Sequence, residues 1–271
     1  MLKDSVFLGT AAWGQRVTKD VAYQVLGIFY QSGFRWVDTA TNYPIDGNPE
    51  SYGKTIEWLS DFQADFPGLR IFVKAGSATN LGEPTQLINA SYFKLICDLL
   101  VGELGESLGG LGVHWDNDAL VVDRAGVIDF YSLLHDRGLS IGLSGIANPE
   151  IYSTSAVARA LPWIIQRNLS PVRTEQIGDE LQGIRSHFPN AKIFGYNLLG
   201  GVNARGLADG PDRLSRVINS SKEGLGLMKG DLLRQIITRS LDLKMDGFII
   251  GATNVDQWSQ WSAALRESFN E

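Results

Sequence analysis

The chain has 271 residues, of which 44% are hydrophobic and 20% charged, and its formal net charge is -6 at pH 7. Such a composition is ordinary for a globular protein that fills a sizeable core. The negative charge argues against a main function on nucleic acid or on an anionic membrane surface.

The number of cysteines and the length of the apolar runs exclude further classes of protein. Cys97 is the single cysteine, so neither an internal disulfide nor a cysteine-rich zinc site can form within the chain. The opening residues lack the apolar stretch of a signal peptide, and no later apolar run approaches the thickness of a bilayer. We therefore expect a cytoplasmic protein with no nucleic-acid partner and no membrane partner. The sequence does not indicate which oligomeric state the protein adopts.

Short apolar runs alternate with longer amphipathic segments from one end of the chain to the other. The short runs predict strands at 5–10, 35–39, 70–74, 110–114, 139–143, 162–166, 191–196 and 247–250. The amphipathic segments predict helices at 18–32, 50–66, 91–105, 124–136, 149–159, 173–187, 229–243 and 254–267. The chain therefore contains eight predicted strand-helix units.

This alternation predicts the fold class. Strands that are apolar almost throughout and alternate with helices are typical of a parallel sheet covered by helices. With right-handed crossovers, eight such units most economically close into a (β/α)8 TIM barrel, here a single domain over 1–271. An open doubly wound sheet is the alternative. The barrel is favoured because polar residues follow the carboxyl ends of several separate strands, where that fold places its sites.

One long connection, from residue 197 to about 229, has no predicted element and contains six glycines. Its glycines could bring backbone N–H groups close to a phosphate, or they could simply provide flexibility. Two segments look like phosphate loops, at 47–55 and 224–230, but both are mis-spaced. The first has five residues instead of four between its glycines, and no strand precedes the second. Neither predicts a nucleotide site.

Four reactive side chains stand at or just beyond the ends of predicted strands: Asp38, Tyr43, Lys74 and His114. A tyrosine has a pKa near 10, and a nearby ammonium favours its ionised form and so eases proton donation. Lys74 could be that ammonium, and Asp38 could keep it charged. His114 could orient or polarise a carbonyl oxygen beside Tyr43. Together the four could protonate a carbonyl oxygen while another group attacks its carbon.

Each of these side chains also has a structural explanation when taken alone. Asp38 could cap a loop, Tyr43 could be a loop aromatic, Lys74 a solvated strand end and His114 a core histidine. Their joint placement on one face of one barrel favours the catalytic interpretation. A metal-assisted enzyme is disfavoured, and no metal is expected, because no cluster of histidines and carboxylates has ligand spacing.

The motifs around these residues resemble those of the aldo-keto reductase family over nearly the whole chain. The similar segments are Leu8-Gly9-Thr10 with Trp13-Gly14, DTATNY at 38–43 with Glu50, FVKAG at 72–76 and GVHWDN at 112–117. The resemblance implies that Tyr43 is the general acid of an oxidoreductase, with Lys74 and Asp38 as the pair that tunes it. It implies that His114 orients a carbonyl substrate.

The same resemblance implies a nicotinamide cofactor, NADP or alternatively NAD, bound across the barrel mouth. Ser144 and Gln166 match positions that hold the carboxamide of the nicotinamide. Tyr196 matches an aromatic residue that stacks on the nicotinamide ring. The backbone of Leu199, Gly200 and Gly201 matches the segment that passes beside the pyrophosphate. After the last strand, the implied cofactor-binding residues are Gly251, Thr253, Asn254 and Gln257. Trp13 and Trp115 are expected to shape the side that faces a small carbonyl or sugar substrate.

Several positions depart from the family pattern, among them Gln260 and Trp261, which stand in place of a Glu-Asn pair that contacts the adenine. Gly145 follows Ser144 where the family usually has asparagine, which removes one amide contact. Asn254 stands where the family typically has an arginine that contacts the adenosine 2′-phosphate, and asparagine cannot replace such a charged fork. Three interpretations follow: NADPH held by Lys222 or another basic residue of the long loop, NADH, or weak binding. The alternative function is a catalytically weak barrel that acts as a nucleotide-sensing or regulatory subunit.

Overall fold

The structure is a computed structural model, and it describes residues 2–81, 86–116, 123–147, 149–169, 177–198 and 232–269. Its strands are β1 Val6–Gly9, β2 Trp36–Ala40, β3 Arg70–Ala75, β4 Leu108–His114, β5 Ser140–Ser144, β6 Ile164–Asn168, β7 Lys192–Tyr196 and β8 Gly247–Gly251. All neighbours pair in parallel and in chain order, and β8 pairs back onto β1. The predicted barrel is confirmed, and the open sheet is wrong.

Helices follow the strands as predicted. They are α1 Lys19–Gln31, α2 Lys54–Phe62, α3 Ala90–Leu104, α4 Arg124–Asp136, α5 Ala156–Ala160, α6 Ile177–His187, α7 Leu232–Asp242 and α8 Val255–Phe269. The predicted strand bounds hold within two residues at either end. Side-chain caps explain where several helices begin, for example Asn89 Oδ1, which accepts from the backbone N–H of Tyr92 at 2.9 Å.

The prediction of one continuous helix at 50–66 is wrong. The structure divides it into a 3-10 turn at Pro49–Ser51, the helix α2 and a second 3-10 turn at Gln63–Asp65. Gly53 separates the first two pieces, because its φ of 79° is left-handed and cannot continue a right-handed helix. The predicted helix at 149–159 likewise divides, into a 3-10 turn at Pro149–Tyr152 and the short helix α5.

Large aromatic rings fill the inside of the barrel opposite glycines. Phe72 of β3 is fully buried beside Gly110, Gly112 and Gly142 on the next two strands. A Cβ added at those glycines would lie 2.8, 2.9 and 2.7 Å from the ring of Phe72. The absence of side chains there makes room for the ring of Phe72, which packs with the other aromatic and aliphatic side chains of the interior. This packed interior closes the barrel beneath the carboxyl ends of the strands.

A larger apolar cluster lies between the barrel and its helices and holds the helices against the strands. In this cluster Trp258 of α8 packs edge-on against Phe29 of α1, with ring centroids 5.0 Å apart. Within the described ranges, no helix combines the length and the apolar character needed to cross a membrane. The barrel mouth, where β1 to β8 end, is the part of the fold that positions the candidate site.

Candidate active site

Three polar side chains from three strands meet inside the barrel mouth. Asp38 of β2 is 3% exposed, Lys74 of β3 2% and Gln166 of β6 1%. The Lys74 ammonium forms an ion pair with Asp38 Oδ2, and Gln166 Nε2 donates to Asp38 Oδ1 at 2.6 Å. Both oxygens of a buried carboxylate are thereby satisfied, which compensates part of the cost of burying it. The predicted Lys74–Asp38 pair is present in the structure.

Tyr43 lies next to this pair. Lys74 Nζ is 5.0 Å from the centroid of the Tyr43 ring, and the tyrosine is 7% exposed. Burial raises the pKa of Tyr43, and the positive charge of Lys74 opposes that rise without cancelling it. Sequence reasoning included the effect of the ammonium but not the larger effect of burial. The tyrosine therefore holds its proton at neutral pH.

The ammonium of Lys74 remains charged. Burial alone would lower the pKa of Lys74, but the negative charge of Asp38 and the hydrogen bonds to Asp38 and Tyr43 raise it above its ordinary value. The result is a fixed positive charge beside a protonated phenol. Such a charge stabilises any negative charge that develops on the phenol oxygen.

His114 ends β4 and faces Tyr43 edge-on, with ring centroids 5.9 Å apart and planes at 81°. Burial and the positive charge of Lys74 hold the pKa of His114 well below its ordinary 6.5. The imidazole is thus neutral at physiological pH and presents one N–H donor. Among the described residues, its Nδ1 has no hydrogen-bond partner.

Trp115 follows His114 and is half-buried, with a centroid distance of 4.2 Å between the two rings. Its backbone N–H donates to the carbonyl oxygen of Ser144 at 2.9 Å, and its carbonyl oxygen accepts from Gln86 Nε2 at 2.9 Å. Gly76 packs close by, because a Cβ there would lie 2.9 Å from the carbonyl oxygen of His114. These contacts fix the main chain that carries both rings.

The implied carboxamide residues lie on neighbouring strands, Ser144 at the end of β5 and Gln166 within β6. Ser144 pairs in register with His114 on one side and with Gln166 on the other. No hydrogen bond from another described residue reaches the Ser144 hydroxyl or the carbonyl oxygen of Gln166, although both residues are buried. Tyr196 ends β7 and lies near enough to Tyr43 to contribute to its raised pKa.

The segment after β8 is organised as the beginning of α8. Asn254 Oδ1 accepts from the backbone N–H of Gln257 at 2.9 Å, and Gln257 Oε1 accepts from both the N–H and the hydroxyl of Thr253 at 2.9 Å. Gly251 ends β8 and pairs with β1. From 247 to 265 the sequence contains no lysine or arginine, and Asp256 adds a negative charge to the first turn of α8.

Trp13 is the one remaining predicted site residue that the structure describes. Trp13 has no exposed surface and packs against Phe62, so its side chain offers no contact to a substrate in this structure. Its predicted substrate role is not supported by this position. Leu199, Gly200 and Gly201 lie outside the described residues, as do Lys222 and most of the predicted long loop.

Two features of the site were missed by sequence reasoning. The hydrogen bond from Gln166 to Asp38 joins residues 128 positions apart, and no local pattern signals it. The hydrogen bond from Gln86 to the carbonyl oxygen of Trp115 is likewise signalled by no sequence motif. Glycine at 76 and 145 was the available signal, since a glycine beside a reactive strand end often marks a close approach. Among the described residues, no group of three or more histidines, cysteines and carboxylates could hold a metal ion.

Comparison with known proteins yields similarity of fold. No family model and no curated protein matches the chain. A solved structure described as a "putative aldo-keto reductase" from Pseudomonas aeruginosa is 18% identical, has a TM-score of 0.63, and aligns over 96% of this chain and 91% of its own. A second structure with the same description and organism is 19% identical, has a TM-score of 0.62, and aligns over 98% and 94%.

The chain shares their fold. The similarity spans nearly the full length of both neighbours, so the common feature is the complete barrel. It confirms, at the level of the fold, the resemblance to aldo-keto reductases that the motifs of β2, β3 and β4 predict. Fold alone does not determine chemistry, which depends on the side chains at the mouth.

Proposed function

We propose that this protein is an oxidoreductase of the aldo-keto reductase type, which transfers hydride between a nicotinamide dinucleotide and a carbonyl or alcohol substrate. The single observation that carries the proposal is the buried group at the barrel mouth, in which Tyr43 lies beside a lysine that is paired with Asp38 and faces His114 edge-on. That combination can deliver a proton to a carbonyl oxygen and stabilise the charge left behind.

Tyr43 acts as the general acid in this proposal. In the direction of reduction, a hydride adds to the carbonyl carbon, and the C=O π electrons form a bond between the carbonyl oxygen and the phenol proton. The products are an alcohol and the anion of Tyr43. The Lys74 ammonium, 5.0 Å from the phenol ring, stabilises that anion. Neutral His114 donates its one N–H toward the carbonyl oxygen and sets its orientation.

The residues present fit a nicotinamide cofactor. The Ser144 hydroxyl and the carbonyl oxygen of Gln166 lie on adjacent strands without a hydrogen-bond partner among the described residues, and together they can bind a carboxamide. Nicotinamide would supply the hydride. Gln166 Nε2 donates to Asp38, and the carbonyl oxygen, which is the acceptor of the same amide, can accept from the carboxamide N–H. Tyr196 would lie beside the ring.

The preferred nucleotide is NADP by resemblance, with NAD as the alternative. The described segment between β8 and α8 offers a 2′-phosphate no lysine or arginine, and Asp256 opposes its charge. Titration of the protein with NADPH and with NADH decides between them. Quenching of the fluorescence of its seven tryptophans measures both dissociation constants.

The catalytic role is tested by Tyr43→Phe. Turnover of an aldehyde panel with the preferred cofactor should fall about 10²- to 10⁴-fold, because the ring remains and only the acidic proton is lost. Cofactor affinity should be kept. Tyr23→Phe is the matched control, since it removes the hydroxyl of a tyrosine that is exposed on α1. Unchanged turnover in Tyr43→Phe would refute the mechanism, and saturable binding of neither nucleotide would refute the proposed function.

A further inference from the structure

Gly145 and the indole of Trp115 compete for the same space at the end of β5. Gly145 has a φ of 65°, in the left-handed region. A Cβ added there would lie 2.5 Å from Cδ1 and 3.1 Å from Nε1 of Trp115. Because the indole ring is rigid, it cannot bend away and would have to rotate as a whole. A side chain at 145 and this position of the indole therefore exclude each other.

The main chain of Trp115 cannot move to relieve such a contact without breaking hydrogen bonds. Its N–H is bound to the end of β5, through the carbonyl oxygen of Ser144, and its carbonyl oxygen is bound by Gln86. Only the side chain of Trp115 can change its position. In this structure the centroid of its ring lies 4.2 Å from that of His114, and the two ring planes make an angle of 31°. The half-buried indole thus extends the surface beside the predicted proton donor by one aromatic ring.

We propose that Gly145 is a specificity-determining residue, which keeps the indole of Trp115 against His114 as a flat wall for substrates that carry a planar ring beside the carbonyl. The substrate part of this inference rests on the proposed function. The ring centroids of His114 and Tyr43 are 5.9 Å apart. When a substrate carbonyl lies near these two rings, the group attached to the carbonyl carbon is within reach of the indole. Flat apolar rings gain most from such a wall, because they stack on it.

The steric part is tested by thermal unfolding, without any need for activity. The variants are Gly145→Ala, Trp115→Ala, the double variant, and Gly138→Ala as the control. Gly138 has a similar φ of 79°, but a Cβ there meets nothing within 4 Å, so its substitution introduces backbone strain alone. We expect Gly145→Ala to lower Tm by at least about 2 °C more than Gly138→Ala. In the Trp115→Ala background that excess should disappear.

The excess loss and its disappearance would confirm the competition for space. Equal losses for Gly145→Ala and Gly138→Ala, or an excess that persists without the indole, would overturn it.

The substrate part is tested by steady-state kinetics with 4-nitrobenzaldehyde and with propanal at saturating cofactor. Gly145→Ala should raise the KM for the aromatic aldehyde roughly two- to tenfold, the scale of one aromatic contact, and leave the KM for propanal and the cofactor dissociation constant unchanged. Gly138→Ala should change none of the three. Equal changes for both aldehydes would overturn the specificity role while leaving the proposed function intact. If the wild-type protein reduces neither aldehyde, both the specificity role of Gly145 and the proposed function are overturned. The Tm comparison still tests whether a side chain at 145 and the indole of Trp115 compete for space.

Discussion

The two sides of the barrel mouth are built differently. On the β2 to β4 side, Asp38, Tyr43, Lys74 and His114 are all nearly inaccessible and are joined by an ion pair and ring contacts. On the β8 side, Asn254 and Gln257 are exposed, and their hydrogen bonds serve the first turn of α8. The proposed proton chemistry is thus held by strands, whereas the proposed nucleotide-binding segment is held by a helix cap.

This difference has an energetic consequence. A buried ion pair has little water to replace a lost partner, so removing one member leaves an uncompensated charge. An exposed cap can be replaced by water at a cost of about 1 kcal/mol. We therefore expect substitutions on the first side to have large effects on both stability and turnover, and substitutions on the second side to have small effects concentrated on cofactor choice.

The largest effect is expected for Lys74→Met. It removes the charge that stabilises the anion of Tyr43 and leaves the Asp38 carboxylate buried without its ion-pair partner. Turnover should fall about 10²- to 10⁴-fold, and the free energy of unfolding should drop by about 3–5 kcal/mol. Turnover is measured with an aldehyde at saturating cofactor, and the unfolding free energy by urea titration.

A double variant separates the two effects of Lys74→Met. In Asp38→Asn/Lys74→Met no charge is left unpaired, so most of the lost stability should return while turnover stays low. Recovery of turnover along with stability would mean that the lysine acts only by supporting the fold. Failure of stability to recover would mean that the ion pair is not what the single variant disrupts.

The sequence predicts the first side of the mouth well because its signals are local. Asp38, Lys74 and His114 each end an apolar run, and strands that pair in register bring such ends together. What could not be predicted is that burial affects the pKa of Tyr43 more than the charge of Lys74 does. The raised pKa of Tyr43 depends first on burial, and burial is set by residues distant in sequence. The same holds for the bond from Gln166 to Asp38 across the barrel.

The second side is predicted less well because capping and close approach are decided by geometry. The sequence shows that Asn254 stands where an arginine is expected, but not that its side chain caps α8. Between the two sides, at the end of β5, the sequence shows that Gly145 lacks an amide, but not that the indole of Trp115 fills the space. For Trp13 the sequence suggests a place at the mouth, yet apolar packing against Phe62 places the ring in the core.

A middle-sized effect is expected from the pH dependence of stability at His114. Burial and Lys74 lower the pKa of His114 in the folded protein, so below the ordinary value of 6.5 the unfolded chain binds a proton that the folded protein does not. Stability is therefore lost as pH falls through 6.5, at up to about 1.4 kcal/mol per pH unit, until the lowered folded pKa is reached. His114→Gln should remove this part of the acid dependence.

The measurement is the free energy of unfolding of the wild type and of His114→Gln at pH 7 and pH 5. Their difference should change by roughly 1–2 kcal/mol between the two pH values, with the wild type losing more at pH 5. His135→Gln is the control, because His135 lies exposed on α4. A pH-independent difference for His114→Gln would show that this histidine is not held neutral by its surroundings.

The smallest effect is expected for Asn254→Arg on the β8 side. The new guanidinium can pair with a 2′-phosphate, and its exposed position limits the gain to about 1 kcal/mol, or roughly fivefold in affinity for NADPH relative to NADH. The cap on α8 is lost at the same time, which should cost about 1 kcal/mol of unfolding free energy. Asn254→Ser is the matched control, since serine can still cap the helix but adds no charge.

Titration of both variants with both nucleotides measures the affinity ratio. A gain for NADPH in Asn254→Arg alone would place the 2′-phosphate at the beginning of α8, as the family resemblance implies. An equal change for both nucleotides would place the phosphate elsewhere in the mouth, and the difference between the two sides would then not extend to cofactor choice.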